Sequence, residues 1–298
     1  MKRYRFFKLI FHITYSCNMS CKGCLAISDI PREGVQPYEE ILETIKEWSQ
    51  VLDPTWIQIF GGEPLMHPRI KDIVKDLRTY WPNARISLPT NGLLLKRIMD
   101  PEWIDSVVPL ELRVSLHRNN DEGRFFKPLI KEFMAQYKHW QRNTRETNEY
   151  GLPEGKNIPM LFNFVNGALS VAVVYYQNFV VPYSRDEQGE MAPYNNDPAE
   201  AWDGCVSPEL VYIYKRQLWK CIPYPNLKDT AKNFDRWPEY KPYNYNDDLT
   251  PYFANIHNAE SLCSMCPTRG EQHSIQHSPD TVKILPKAKW IQSQINAK

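Results

Sequence analysis

Short apolar runs alternate with amphipathic stretches over the first 140 residues, and this rhythm constrains the fold most. Phe6 to Tyr15 is a β-rich apolar run. Pro37 to Leu52 follows, with Tyr38, Ile41, Leu42, Ile45, Trp48 and Leu52 at helical spacing behind an initiating proline. Trp56 to Phe60 reads as a second strand ending at Gly61-Gly62, and Pro68 to Trp81 as a second helix. Arg85 to Pro89 is a third strand closed by Asn91-Gly92, and Leu93 to Val108 is partly helical, broken by Pro101. Leu110 to Leu116 is a fourth strand and Phe125 to Trp140 a fourth helix. Such alternation implies an α/β fold with a parallel sheet and right-handed crossovers, either open or part of a barrel. Gln141 to Asn157 reads as a polar loop, and Pro159 to Val165 and Ala168 to Val181 as two further strands. From Ser184 the composition turns to Pro, Tyr, Asn and Asp, which sets an expected boundary between residues 1–184 and a smaller unit over 185–298.

Charge and hydropathy exclude two classes. Lys+Arg 36 against Asp+Glu 35 leaves no basic excess for a nucleic acid or an anionic membrane. The longest apolar stretch, around Val171 to Val181, is interrupted by Gln177 and Asn178 and falls short of the roughly 18–20 residues that span a bilayer. Lys8 and His12 break the N-terminal apolar run, so it reads as a strand and not as a signal peptide. The expected compartment is the cytoplasm, where thiols stay reduced and clustered cysteines hold metals.

The seven cysteines fall into two groups. Cys17, Cys21 and Cys24 form C-x3-C-x2-C directly after the first strand, close enough for one loop to wrap one inorganic centre. Three ligands on a four-iron cube leave one iron with an open site, the mark of a catalytic centre. Cys205, Cys221, Cys263 and Cys266 form the second group. Val211 to Cys221 reads as a β-hairpin with a polar Lys215-Arg216-Gln217 tip that brings Cys205 and Cys221 together. Four such cysteines also suit structural zinc.

With Gly61-Gly62-Glu63-Pro64 at the end of the second strand, the first group resembles the radical S-adenosylmethionine (SAM) enzymes. The resemblance implies a partial (β/α)6 TIM-like barrel and a [4Fe–4S] cluster on Cys17, Cys21 and Cys24 that binds SAM. Gly61, Gly62, Glu63 and Pro64 match the family's contact to the SAM amino group, and Asn91 and Ser115 its ribose and carboxylate contacts. The position before the third cysteine, often an aromatic beside the adenine, is Gly23, so another group must cover the adenine. Residues 200–267 are similar to the family's twitch subdomain, a shortened relative of SPASM. This implies a second, auxiliary [4Fe–4S] cluster on Cys205, Cys221, Cys263 and Cys266.

The implied reaction is reductive cleavage of SAM to a 5′-deoxyadenosyl radical and hydrogen abstraction from a substrate C–H. The expected outcome is dehydrogenation of a small molecule, with the auxiliary cluster as electron acceptor. A peptide-modifying maturase and a non-catalytic iron–sulfur electron carrier are the alternatives. The implied partners are a small-molecule or short peptide substrate and a one-electron reductant such as flavodoxin or ferredoxin. Arg113, Ser115 and His117 share one face of the fourth strand, and Lys8, Ile10 and His12 one face of the first. His117, His12, Arg113 and Lys8 are therefore the candidate deprotonating groups. Tyr175 to Tyr194 either lines a substrate pocket or is ordinary packing, and His273 and His277 are expected to share an exposed helix face.

Overall fold

The computed structural model describes residues 2–30, 32–117, 132, 135, 141–143, 160–166, 169–176, 178–278 and 280–285. The expected strands and helices of the first 117 residues are present. They are β1 (Tyr4–Thr14), α1 (Tyr38–Trp48), β3 (Leu52–Gly61), α2 (Ile70–Tyr80), β4 (Arg85–Thr90), α3 (Pro101–Val107) and β5 (Leu110–Leu116), with a three-residue β2 (Met19–Cys21) after the first. Each helix buries the stripe its periodicity marks: Ile41, Ile45 and Trp48 on α1, and Ile70, Ile73, Val74 and Leu77 on α2. Pro101 starts α3 because the Asp100 carboxylate caps it, accepting from Trp103 N–H at 3.2 Å. Apart from residues 132 and 135, the expected fourth helix lies outside the described residues.

Past that point, β6 (Gln141–Asn143), β7 (Met160–Asn166) and β8 (Leu169–Tyr175) complete one edge of the sheet. Gln141–Asn143 is thus a strand antiparallel to β7, where the polar composition predicts a loop. Short elements follow: β9 (Asn178–Val180), β10 (Ser184–Arg185), β11 (Met191–Ala192), β12 (Val211–Tyr214), β13 (Gln217–Trp219), β14 (Ser274–Gln276) and β15 (Val282–Ile284).

The main sheet runs β13-β12-β1-β3-β4-β5-β8-β7-β6. Six neighbouring strands, β12 to β8, are mutually parallel; β13 and β7 run antiparallel to them at the two sides, and β6 pairs antiparallel with β7 at the outer edge. The fold is α/β around a mostly parallel sheet. Leu9, Phe11 and Ile13 of β1 pack on the helices, while Ile10 faces a second core built from the C-terminal residues Tyr212, Tyr214, Trp219 and Leu227. The hairpin β12–β13 belongs to the stretch after residue 184, yet it pairs in parallel with β1, so both expected segments share one sheet. Its two turn residues, Lys215 and Arg216, both have positive φ, the type I′ geometry whose twist suits a two-residue hairpin. The turn docks on α1: Trp48 Nε1 donates to Arg216 O at 3.0 Å, and Arg216 pairs with Glu43 and Glu47.

Candidate functional site

The cysteine loop leaves the C-terminal end of β1, the end at which parallel α/β sheets bind ligands. The segment after β3 lies directly beneath it. Gly62 N–H donates to Thr14 O at 3.0 Å, and Glu63 N–H to Ser16 O at 2.9 Å. A Cβ on Gly62 would lie 2.2 Å from Ser16 O, and one on Gly61 2.4 Å from Thr14 O. The backbone that needs these glycines is thus the cysteine loop itself. From the other side, β15 pairs with β2 and sets Val282 opposite Cys21.

Cys17, Cys21 and Cys24 line one cavity of about 270 Å³ with Gly61, Gly62, Glu63, Pro64, Asn91, Ser115, His117, Arg113 and Lys8. Every candidate residue of the first half except His12 is therefore brought together. Burial pushes the Cys17 and Cys24 thiols up, the Glu63 carboxylate adding to it at Cys17. Such thiols ionise when a metal centre replaces their protons.

Glu63 has a role the motif does not announce. Its carboxylate is 1% exposed and accepts from Leu65 N–H at 3.0 Å and Asn91 N–H at 2.7 Å. Burial holds its pKa up at about 7 against those donors. The side chain braces the end of β3 to the end of β4, and an ammonium here would meet the neighbouring carbonyls as well as this carboxylate. Asn91 Nδ2 donates to Asn18 Oδ1 at 2.6 Å, tying β4 to the cysteine loop.

Two cationic side chains, Lys8 and Arg113, line the cavity floor and lie 5.9 and 5.8 Å from the centroid of the Trp56 ring. Glu111 accepts from Arg113 Nε at 2.9 Å and Nη2 at 2.6 Å, and from Ser87 Oγ at 3.0 Å. The Arg113 guanidinium is thus held in place by the Glu111 carboxylate through two hydrogen bonds. Burial, with the Arg113 charge, lowers Lys8 to about 8, so this amine does exchange protons near neutrality.

The histidines divide. His117 lines the cavity, and burial, then His277, lowers its pKa to about 3, so the ring is neutral at physiological pH. His12 is fully buried outside the cavity, 2.7 Å through Nδ1 from Tyr212 OH and ringed by Tyr15, Phe60 and Tyr214. His277 is not on a helix. It follows strand β14, is buried, and stacks its ring edge on Phe179 at 4.4 Å.

Gly23 also finds its reason. It has φ +78°, and a Cβ there would approach Phe179 Cβ to 3.2 Å. Phe179 and Tyr176 line the cavity, so an aromatic from β9 packs beside the cysteine loop. Phe179 lies in the aromatic stretch Tyr175 to Tyr194, but nothing in that stretch singles it out, because it reaches the loop only through tertiary packing. Of the aromatic stretch, Tyr176 and Phe179 line this cavity, while Tyr183 and Tyr194 line a separate polar groove.

Cys205, Cys221, Cys263 and Cys266 line a second cavity of about 80 Å³ with Lys220, Trp202 and Leu262. Burial raises all four thiols, and the neighbouring thiols raise Cys205, Cys221 and Cys266 further. Leu25, Ser207 and Ile222 line both cavities, so they form a common wall. Leu25 follows Cys24, Ile222 follows Cys221, and Ser207 N–H donates to Cys205 Sγ at 3.4 Å. Among the described residues, no three His, Cys, Asp or Glu side chains converge on a single-ion position, and no helix is long and apolar enough to cross a membrane.

Comparison with known proteins follows the same lines. The chain is 34% identical over 89 residues to a GTP 3′,8-cyclase of Microcystis aeruginosa, covering 28% of this chain and 27% of that protein. It is 31% identical over 130 residues to one of Rippkaea orientalis, covering 42% and 38%. The chain thus matches about a quarter to two-fifths of the length of these curated relatives. A solved structure of BtrN in complex with AdoMet and 2-DOIA is similar at TM-score 0.46 and 14% identity, covering 93% of this chain and 98% of that one. The model of the Radical SAM superfamily matches residues 11–168, more than half of the 298, and the chain belongs to that superfamily.

Proposed function

We propose that this radical SAM enzyme oxidises a small molecule, and that a second iron–sulfur cluster on Cys205, Cys221, Cys263 and Cys266 accepts the electron left behind. The radical SAM domain implies a [4Fe–4S] cluster and SAM, which together supply a hydrogen-abstracting radical. Cys17, Cys21 and Cys24 would hold that cluster, in a cavity that also carries the Gly61–Pro64 turn, Asn91 and Ser115 for SAM. Phe179, beside Gly23, offers an apolar face for the adenine. Lys8 and Arg113 on the floor would hold an oxygen-rich or acidic part of the substrate, which orients its C–H towards the thiol end. Lys8, with its pKa near 8, is the group here that can exchange a proton near neutrality, whereas burial makes the neutral His117 ring a weak base. The reductant is a one-electron donor of the flavodoxin or ferredoxin class.

The common wall of Leu25, Ser207 and Ile222 carries this reading, because an electron acceptor must lie close to the radical it oxidises. The four C-terminal thiols line one cavity, where a polynuclear cluster would bridge them. A single zinc, at roughly 2.3 Å from each sulfur, would draw them together. Anaerobic loading with iron and sulfide should give about eight irons per chain. Changing Cys205 and Cys221 to Ala should remove about four of them. That variant should still form 5′-deoxyadenosine from SAM but fail to oxidise a substrate identified by its stimulation of that product. Full substrate turnover by the variant would sink the acceptor role.

A further inference from the structure

Lys220 immediately precedes Cys221 and is the one cation in the wall of the four-cysteine cavity among the described residues. Its side chain is 2% exposed. Burying an ammonium costs several kcal/mol unless its hydrogens are bonded and its charge is paired. Both conditions hold. Lys220 Nζ donates to Asn255 O at 2.5 Å and to Asn258 O, and it pairs with Glu260 Oε1 at 2.9 Å. The Trp202 ring, also in the wall, has its centroid 4.9 Å away. Glu260 does not line the cavity and is 27% exposed. The ion pair thus has its positive end on a residue of the cavity wall and its negative end on a partly exposed residue outside it.

The thiols register both ends. The Lys220 charge draws Cys205 and Cys263 down against burial, while the Glu260 charge pushes Cys263 up.

We propose that Lys220 is a positioning residue for electron transfer: its buried ammonium raises the reduction potential of the cluster held by Cys205, Cys221, Cys263 and Cys266. The inference rests on the reading that these cysteines hold an iron–sulfur cluster. When the site takes up one electron, its charge becomes one unit more negative. Inside a largely apolar wall that extra charge is unfavourable, and a fixed cation beside it offsets the cost. Glu260 acts in the opposite sense from farther out. The site so built accepts an electron from a substrate radical more readily than four buried thiolates alone would.

The test is a redox titration of the anaerobically reconstituted full chain, followed by electron paramagnetic resonance. A C17A/C21A/C24A background assigns the C-terminal signal. Lys220→Met should move the C-terminal midpoint to more negative potential, Glu260→Gln should move it to more positive potential, and Lys220→Arg should leave it near that of the unchanged chain. A midpoint unmoved by Lys220→Met at full iron content overturns the proposal. So do shifts of the same sign in Lys220→Met and Glu260→Gln, which would mean that both act through packing. If Lys220→Met does not load iron, Glu260→Gln decides alone, and the absence of a positive shift overturns the proposal. Zinc in place of iron at the C-terminal cysteines of the unchanged chain would overturn the cluster reading, and this inference with it.

Discussion

At the residue scale, the Gly-Gly-Glu-Pro turn is fixed by what surrounds it. Gly61 and Gly62 have no room for a side chain, and Glu63 spends its carboxylate on two backbone donors. His67 closes the same turn. Its Nε2 donates to Gln36 O at 2.9 Å and its Nδ1 accepts from Arg69 N–H at 3.1 Å, which fixes one neutral tautomer. Burial lowers its pKa from 6.5 to about 4. A base whose folded pKa is depressed stabilises the fold above the unfolded value, and that contribution is lost as pH falls from 6.5 to about 4. The loss is roughly 3 kcal/mol in full. Glu63 has the opposite slope, since its raised pKa favours the fold at low pH and that benefit disappears between 4.5 and about 7. The comparison must therefore be with His67→Gln. Urea unfolding of the iron-free chain should show the stability difference between the two proteins shrinking from pH 7 to pH 4.5, and parallel profiles would rule this account out. The turn residues were legible as a motif. The reason for the glycines was not, because it lies in the backbone of a loop some 45 residues away.

At the element scale, the C-terminal strands hold the cysteine loop. β15 pairs with β2 and β14 with β9, and Val282 is buried with Met19 and Cys21. A carboxylate at position 282 would be desolvated in this small apolar contact. Val282→Asp should thus release β15 and the cysteine loop while the main sheet stays intact. Iron should fall from about eight to about four per chain, with the C-terminal cluster signal kept and the far-ultraviolet spectrum unchanged. Retention of all the iron would show that β15 is dispensable. Helices α1 and α2 were legible because their apolar residues repeat over several turns. β6, β14 and β15 were not, because three residues carry no period and their pairing partners are distant in sequence. That is why Gln141–Asn143 reads as a loop and His277 as a surface helical residue, although the first is a strand and the second is buried.

At the scale of the whole molecule, one sheet carries both cysteine sites. The parallel pairing of β12 with β1 brings the residues after 184 against the first cavity, and Leu25, Ser207 and Ile222 then separate the two sites. The four C-terminal cysteines span residues 205–266, so the proposed cluster would crosslink a long stretch with few long elements of its own. Binding that favours the folded state raises its stability. Calorimetry should show the loaded chain melting higher than the iron-free chain, by on the order of 5 °C or more. The variant with Cys205 and Cys221 changed to Ala should lose a large part of that gain, and equal melting temperatures for the loaded and iron-free forms would contradict the crosslink. The sequence by itself determined the parallel α/β class, the order of the first strands and helices, and the division of seven cysteines into three and four. These depend on period, spacing and local turn chemistry, which are properties of neighbouring residues. Only the tertiary structure decided that His12 stands outside the cavity, that Phe179 fills the space beside Gly23, that Lys220 stands in the wall of the second cysteine cavity, and that one wall joins the two sites. Each of these is set by sheet order and by packing across the molecule, which no local pattern encodes.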